Sequence, residues 1–257
     1  MYLHEIFIEV QLGAELQELG YQIHLLLASF WRSGLIQDGG QFIAMQDGKL
    51  SAMVNCLEED SLHPRYHSLQ VRKGVEKLEQ LCGNKLHTRL VASSYIDDEP
   101  TCKCVVRDHF VLVTQFLSSA SPLKCGACDC TVPLYKIPIP EDGCHYPVLN
   151  WMNNYRACDT LQINCQVGEK WAMRQMQDVH SELSTQGRDI CARIEQLSGT
   201  PTYYYLFNYR KISLKTDRDR PCPNCNGPWL LESPLHKFYD FLCKKCRLIS
   251  NVTMNPA

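Results

Sequence analysis

The chain has 257 residues, a 45% hydrophobic share and a formal net charge of −2, which allows one large domain or two smaller ones with a buried core and excludes wholesale disorder. The charge is uneven: Tyr203 to Ala257 holds nine Lys/Arg against four Asp/Glu, leaving −7 on the residues before it, so any polyanion contact belongs in the C-terminal part. No apolar run nears the ~18 residues of a membrane span and Met1 to Glu5 lacks the basic start of a signal peptide, so a cytoplasmic protein is expected.

Between Tyr2 and Gln11, Ile6, Ile8 and Val10 share one face, which predicts a strand broken at Gly13. From Ala14 to Arg32, Leu16, Leu19, Ile23, Leu26, Leu27 and Phe30 recur at helical spacing. Gln41 to Gln46 and Leu50 to Leu57 read as strands joined through Asp47-Gly48, a pair that tolerates the positive φ angles of a tight hairpin. A helix is expected over Tyr66 to Cys82, then strands over Leu86 to Ser93 and His109 to Leu117. The order β-α-β-β-α-β predicts an α+β protein with a ferredoxin-like domain over 1–120, a superfold that hosts many functions and decides none.

Residues 121–209 form a Cys-rich connector and a helical middle. Ser121 to Pro147 is rich in proline and cysteine. Val148, Trp151, Met152 and Tyr155 make one apolar stripe. Met176, Val179, Leu183, Ile190, Ile194 and Leu197 make another, with a break expected at Gln186-Gly187 and a stop at Gly199 and Pro201. Tyr203 to Tyr209 reads as an aromatic strand, and Arg210 to Arg220 as a polar lead-in to a zinc ribbon over 210–257.

The strongest motif is Cys222-Pro-Asn-Cys225, followed after seventeen residues by Cys243-Lys-Lys-Cys246. Two residues between cysteines let the chain turn as a knuckle with both sulfurs on one side and backbone N–H groups aimed at them. Two knuckles supply four thiolates at about 2.3 Å from a metal and leave no open position, so the ion is expected to be structural. Soft four-sulfur ligation suits zinc and iron alike. Zinc is preferred because Asn226 and Arg247, not glycine, follow the second cysteine of each pair.

A second candidate metal set is Cys102, Cys104, Cys125 and Cys128, with Cys130 competing. The strand between the pairs would bring them together as a hairpin. Cys56, Cys82, Cys158, Cys165 and Cys191 occur singly and fit buried free thiols.

No catalytic pattern stands out. Asp108-His109, His145, Asp159, Glu169 and His180 are titratable, but no phosphate loop, nucleophile elbow or His-Glu-x-x-His helix is present. The expectation is a protein that is not an enzyme and has no small-molecule substrate. Arg210, Lys211, Lys215, Lys237, Lys244, Lys245 and Arg247, with Arg218 and Arg220, are candidate contacts to DNA or RNA, with Trp229, Phe238, Tyr239 and Phe241 among them. The competing reading is a protein partner for a zinc-stabilised adaptor or inhibitor. In that case Lys244, Lys245 and Arg247 offset the −2 of a Zn(Cys)4 centre and the aromatics form the ribbon's own core.

Ser121 to Cys128 with Val132-Pro-Leu-Tyr135, Ala157 to Cys165, Gln186 to Cys191, Pro201 to Leu206 and the two C-terminal knuckles together resemble a bacterial family. It is that of zinc-ribbon-containing, candidate nucleic-acid-binding proteins of unassigned function. The resemblance covers Ser121 to Asn251 well and the N-terminal half loosely. It implies a bacterial cytoplasmic protein with ribbon ligands Cys222, Cys225, Cys243 and Cys246. The polar run Asp159 to Glu169 and Arg188 reads as capping or loop-ordering.

Overall fold

The apolar periodicities resolve into two sheets and six α-helices in a computed structural model that describes residues 1–11, 15–37, 42–94, 100–138 and 144–256. The break expected at Gly13 and the strand start at Gln41 lie outside those residues. By contacts, the chain forms two units. The first gathers Met1–Thr101, Ser119–Ser121 and Pro133–Tyr146, and the second gathers Cys102–Ser118, Pro122–Val132 and Pro147–Ala257.

In the first unit β1 (Tyr2–Glu9), α1 (Leu16–Arg32), β2 (Phe42–Gln46), β3 (Lys49–Cys56), α2 (Leu69–Cys82) and β4 (His87–Ser93) follow in order. The strands form an antiparallel sheet of order β2-β3-β1-β4. Pairing of Ile6 with Ala52 and Ile8 with Leu50 puts these side chains against Leu19, Ile23, Leu26, Leu27, Val71 and Leu78, all buried. Asp47 and Gly48 adopt φ of 51° and 74°, the hairpin geometry their sequence predicts. Ser68 caps α2 by accepting from the Val71 N–H, and Gly83 ends it at φ 69°. The Pro133–Tyr146 stretch of the connector returns to this unit: the Tyr135 hydroxyl donates to buried Glu58 (2.7 Å) and Lys136 pairs with the same carboxylate (2.5 Å).

The second unit is built on a mixed sheet of order β6-β5-β7-β10-β9-β8. Its strands are β5 (Phe110–Leu112), β6 (Leu123–Cys125), β7 (Thr202–Tyr205), β8 (Leu230–Leu235), β9 (Tyr239–Cys243) and β10 (Leu248–Ser250). Its helices are α3 (Tyr146–Asn164), α4 (Glu169–Gln177), α5 (Glu182–Ser198) and α6 (Leu214–Arg218). β5, β7 and β10 run parallel, so β10, from the C-terminal ribbon segment, lies inside the sheet between β7 and β9. On one face Tyr204 meets Trp151 of α3 edge-on, with ring centroids 5.9 Å apart, and its hydroxyl donates to Ser184 of α5. On the other face Val111, Tyr203, Tyr205, Tyr239 and Ile249 form a second apolar cluster, which Val113, Phe207, Leu235 and Leu242 flank.

Three local expectations are corrected. α5 runs unbroken through Gly187. A Cβ there would lie 2.2 Å from a Tyr204 ring carbon, so this glycine serves close packing. The strand expected over His109 to Leu117 ends at Leu112, because the Phe116 N–H donates to Asp159 (2.8 Å) and leaves the ladder. The aromatic strand is Thr202–Tyr205, shorter than Tyr203 to Tyr209. No helix among the described residues is long and apolar enough to cross a membrane.

Candidate metal centres

The two four-cysteine sets converge: within Cys102, Cys104, Cys125 and Cys128, and again within Cys222, Cys225, Cys243 and Cys246, all sulfurs lie within 4.8 Å of one another. Cys225 Sγ and Cys243 Sγ are 3.7 Å apart, close to the ~3.8 Å edge of a tetrahedron with 2.3 Å arms. The donor set therefore fits one tetrahedral cation per cluster.

Three Cys-x2-Cys knuckles share one backbone device. The residue after the second cysteine is left-handed in each: Asp129 (φ 57°), Asn226 (57°) and Arg247 (52°). That turn closes Asp129 N–H onto Cys125 O and Asn226 N–H onto Cys222 O, and aims further N–H groups at sulfur. The N–H groups of Asn224 and Cys225 point at Cys222, that of Cys246 at Cys243, and those of Ala127 and Cys128 at Cys125. The Cys102–Cys104 pair is tighter, with the Cys104 N–H 3.4 Å from Cys102 Sγ.

Each cluster holds one thiol biased toward thiolate. The Gly227 N–H and the neighbouring thiols bring Cys225 down to about 7, while burial pushes Cys243 up to about 12. At the other cluster burial raises Cys102, but the Arg107 guanidinium and the Cys104 N–H more than reverse this, to about 7. The Cys128 and Cys102 thiols push Cys104 up to about 12. Protons are being shared among sulfurs too close to ionise together, and a divalent cation can replace those protons. Arg107 was not foreseen in the sequence, because nothing in its spacing ties it to the knuckles. Nor was Asn224, whose side-chain amide donates to Cys246 Sγ (3.2 Å). Cys130 lies beside the first cluster and bonds the Cys128 carbonyl. Of the single cysteines, Cys56, Cys82, Cys158 and Cys191 are buried as expected, but Cys165 is exposed.

The two centres are physically joined. His236, at the tip of the β8–β9 hairpin, donates from Nε2 to the carbonyl of Gly126 in the Cys125–Cys128 knuckle (2.7 Å).

The basic candidates divide. Arg247 forms a fork with Glu195, at 2.7 and 2.8 Å, and bonds the Lys244 carbonyl. Arg220 pairs with buried Asp217 (2.9 Å) and lies over the rings of Trp229 and Phe241. These two arginines are structural. Trp229 and Phe241 make the ribbon's own core, while Phe238 and Tyr239 pack on Tyr205. Arg210, Lys211, Lys215, Lys237, Lys244 and Lys245 are exposed, with no ion pair among the described residues.

The titratable candidates do not assemble. Asp159 orders the Phe116 loop, Glu169 sits in the first turn of α4, His180 is exposed, and His109 packs on Tyr203. His145 is buried in the first unit.

Three family models match, each described as a domain of unknown function: DUF8589 over residues 1–92, DUF2310 over 104–207 and DUF8594 over 211–256. An uncharacterized protein from Haemophilus influenzae is 32% identical over 239 residues, covering 93% of this chain and 86% of the relative. A second uncharacterized Haemophilus influenzae protein is 37% identical over 145 residues, covering 56% of this chain and 71% of the relative.

Proposed function

We propose that this chain, which belongs to the same family as the Haemophilus influenzae protein it matches over most of both lengths, is a non-catalytic cytoplasmic zinc protein that binds nucleic acid beside its C-terminal ribbon. The carrying observation is the exposed set Arg210, Lys211, Lys215, Lys237, Lys244 and Lys245, none neutralised by a carboxylate among the described residues. Cations held that way can exchange counterions for phosphates.

Zinc is the metal that four thiolates at this spacing favour, and both shells are complete, so each ion would fold the chain and not perform chemistry. The bacterial family resemblance is in keeping with this. The sheet order β2-β3-β1-β4, with a helix after β1 and after β3, supports reading the first unit as ferredoxin-like. One observation favours a protein partner instead: every residue of edge strand β4 is exposed, and Phe42 on the opposite edge is 69% exposed.

The test joins metal analysis to binding. About two zinc ions per chain are expected, with affinity for labelled DNA or RNA oligonucleotides that falls steeply between 50 and 200 mM salt, as counterion release requires. No binding at the lower salt, or binding indifferent to salt, would sink the reading. A specific protein captured in its place would favour the interaction module.

A further inference from the structure

Two grooves flank the Cys222–Cys225 knuckle. One, of about 720 Å³, runs between α5 and the ribbon and is lined by Arg188, Asn224, Lys244, Lys245 and Arg247. The other, of about 490 Å³, lies along α4 and is lined by Lys170, Arg174, Arg210 and Pro223. Pro223 and Asn224 are consecutive, so the grooves lie on either side of one knuckle. The Arg188 guanidinium donates to the carbonyl of Val179, which lines the second groove, and so links the two.

Both grooves hold more Lys/Arg than Asp/Glu side chains. The first has four cations against Asp189 and Glu195, and Glu195 is taken up by Arg247. The second has three Lys/Arg against Asp178. Lys244 and Lys245 sit between two metal ligands, so their charge can be offset by the centre itself. That does not apply to Lys170, Arg174 and Arg188, which stand on helices outside the knuckles. An aromatic ring stands beside the second groove: Trp171 of α4 is 52% exposed and lies three residues, one helical turn, before the lining residue Arg174.

We infer that a single-stranded nucleic acid lies across both grooves, its phosphates on Lys170, Arg174, Arg188 and Arg210 as well as on the ribbon lysines, and a base against the exposed ring of Trp171 on α4. This rests on the nucleic-acid reading above and moves half of the contact surface onto helices that reading did not include. A single strand is chosen because a half-exposed ring beside a cationic groove can stack only on an unpaired base.

The probe is a fluorescein-labelled oligo-dT 20-mer, with a mixed-sequence RNA 20-mer and a DNA duplex in parallel, titrated with the full-length zinc-loaded chain. Lys170→Gln with Arg174→Gln should weaken single-strand binding about tenfold at 150 mM salt and lower the log–log salt slope by about 1.4, two phosphates at ~0.7 each. Lys73→Gln with Lys77→Gln, exposed on α2 of the first unit, should change affinity less than about threefold. Unchanged zinc content and circular dichroism verify the fold of each variant. Normal binding by the α4 variant, with loss in Lys244→Gln/Lys245→Gln or in Lys211→Gln/Lys215→Gln, overturns the path across the helices but leaves nucleic-acid binding standing. Preference for the duplex overturns the single-strand assignment. No binding of the unaltered chain to any of the three probes removes both.

Discussion

Two glycines inside helices carry opposite predictions. Gly20 in α1 has nothing within 4 Å of an added Cβ, so Gly20→Ala should only relieve the entropic penalty of glycine and stabilise the chain by about 0.5–1 kcal/mol. Gly187 in α5 would place a Cβ 2.2 Å from Tyr204 and 2.8 Å from the Trp151 indole nitrogen. Both rings are fully buried and neither can step aside. Overpacking of about 1–3 kcal/mol then outweighs the same helix gain, so Gly187→Ala should destabilise, read as a lower denaturant midpoint. Equal shifts for the two variants would remove the packing explanation. The sequence places Gly20 inside a helical pattern and reads Gly187 as a break, since a punctuation signal and a close-approach signal are the same residue. The metal ligands were legible because their chemistry is local: two cysteines per knuckle announce themselves wherever the chain goes. Arg107 and Glu195 were not, because their partners are set by tertiary approach.

At the level of elements, each knuckle ends on a left-handed residue, and Arg247 adds a tie from the second ribbon knuckle to α5. Replacing it separates the two roles. Arg247→Ala keeps the disfavoured backbone and loses the partly exposed fork with Glu195, a loss of about 1 kcal/mol. Arg247→Gly loses the same fork but relieves about 1 kcal/mol of left-handed strain. The glycine variant should therefore be near wild type and more stable than the alanine variant in guanidinium unfolding with zinc present. The reverse order would show that relief of the left-handed strain does not outweigh glycine's greater freedom in the unfolded chain, and an alanine variant as stable as the unaltered chain would show that the fork is of no account. Long periodic segments were readable here: α1, α2 and the Asp47-Gly48 hairpin fall where their patterns put them. Short strands were not. β5 stops at Leu112 because Asp159, on α3, captures the Phe116 N–H, and β8 pairs through an irregular register that no alternation announces.

The sequence sets residues 210–257 apart as a zinc ribbon behind a polar lead-in, but in the whole molecule the ribbon is part of a larger sheet. β10 is an interior strand, with Tyr204 N–H bonding Arg247 O and Leu206 N–H bonding Ile249 O. Tyr239 completes the apolar cluster over Val111, Tyr203 and Tyr205, and His236 ties the hairpin tip to the other cysteine centre. Removing metal should therefore not unravel 221–250 alone. Structural zinc contributes folding energy on the order of 10–16 kcal/mol in isolated fingers, comparable to the whole ~5–15 kcal/mol margin of a typical domain, and an interior strand passes that loss to the strands it pairs with. After chelation, or in Cys222→Ser/Cys225→Ser, hydrogen exchange should accelerate across Phe110–Leu112 and Thr202–Tyr205 together with the ribbon. β1 and β3, which have their own core with α1 and α2, should keep their protection. Exchange that quickens only within the ribbon would mean that β7 and β5 hold without β10, and that the shared sheet is a contact and not a cooperative unit.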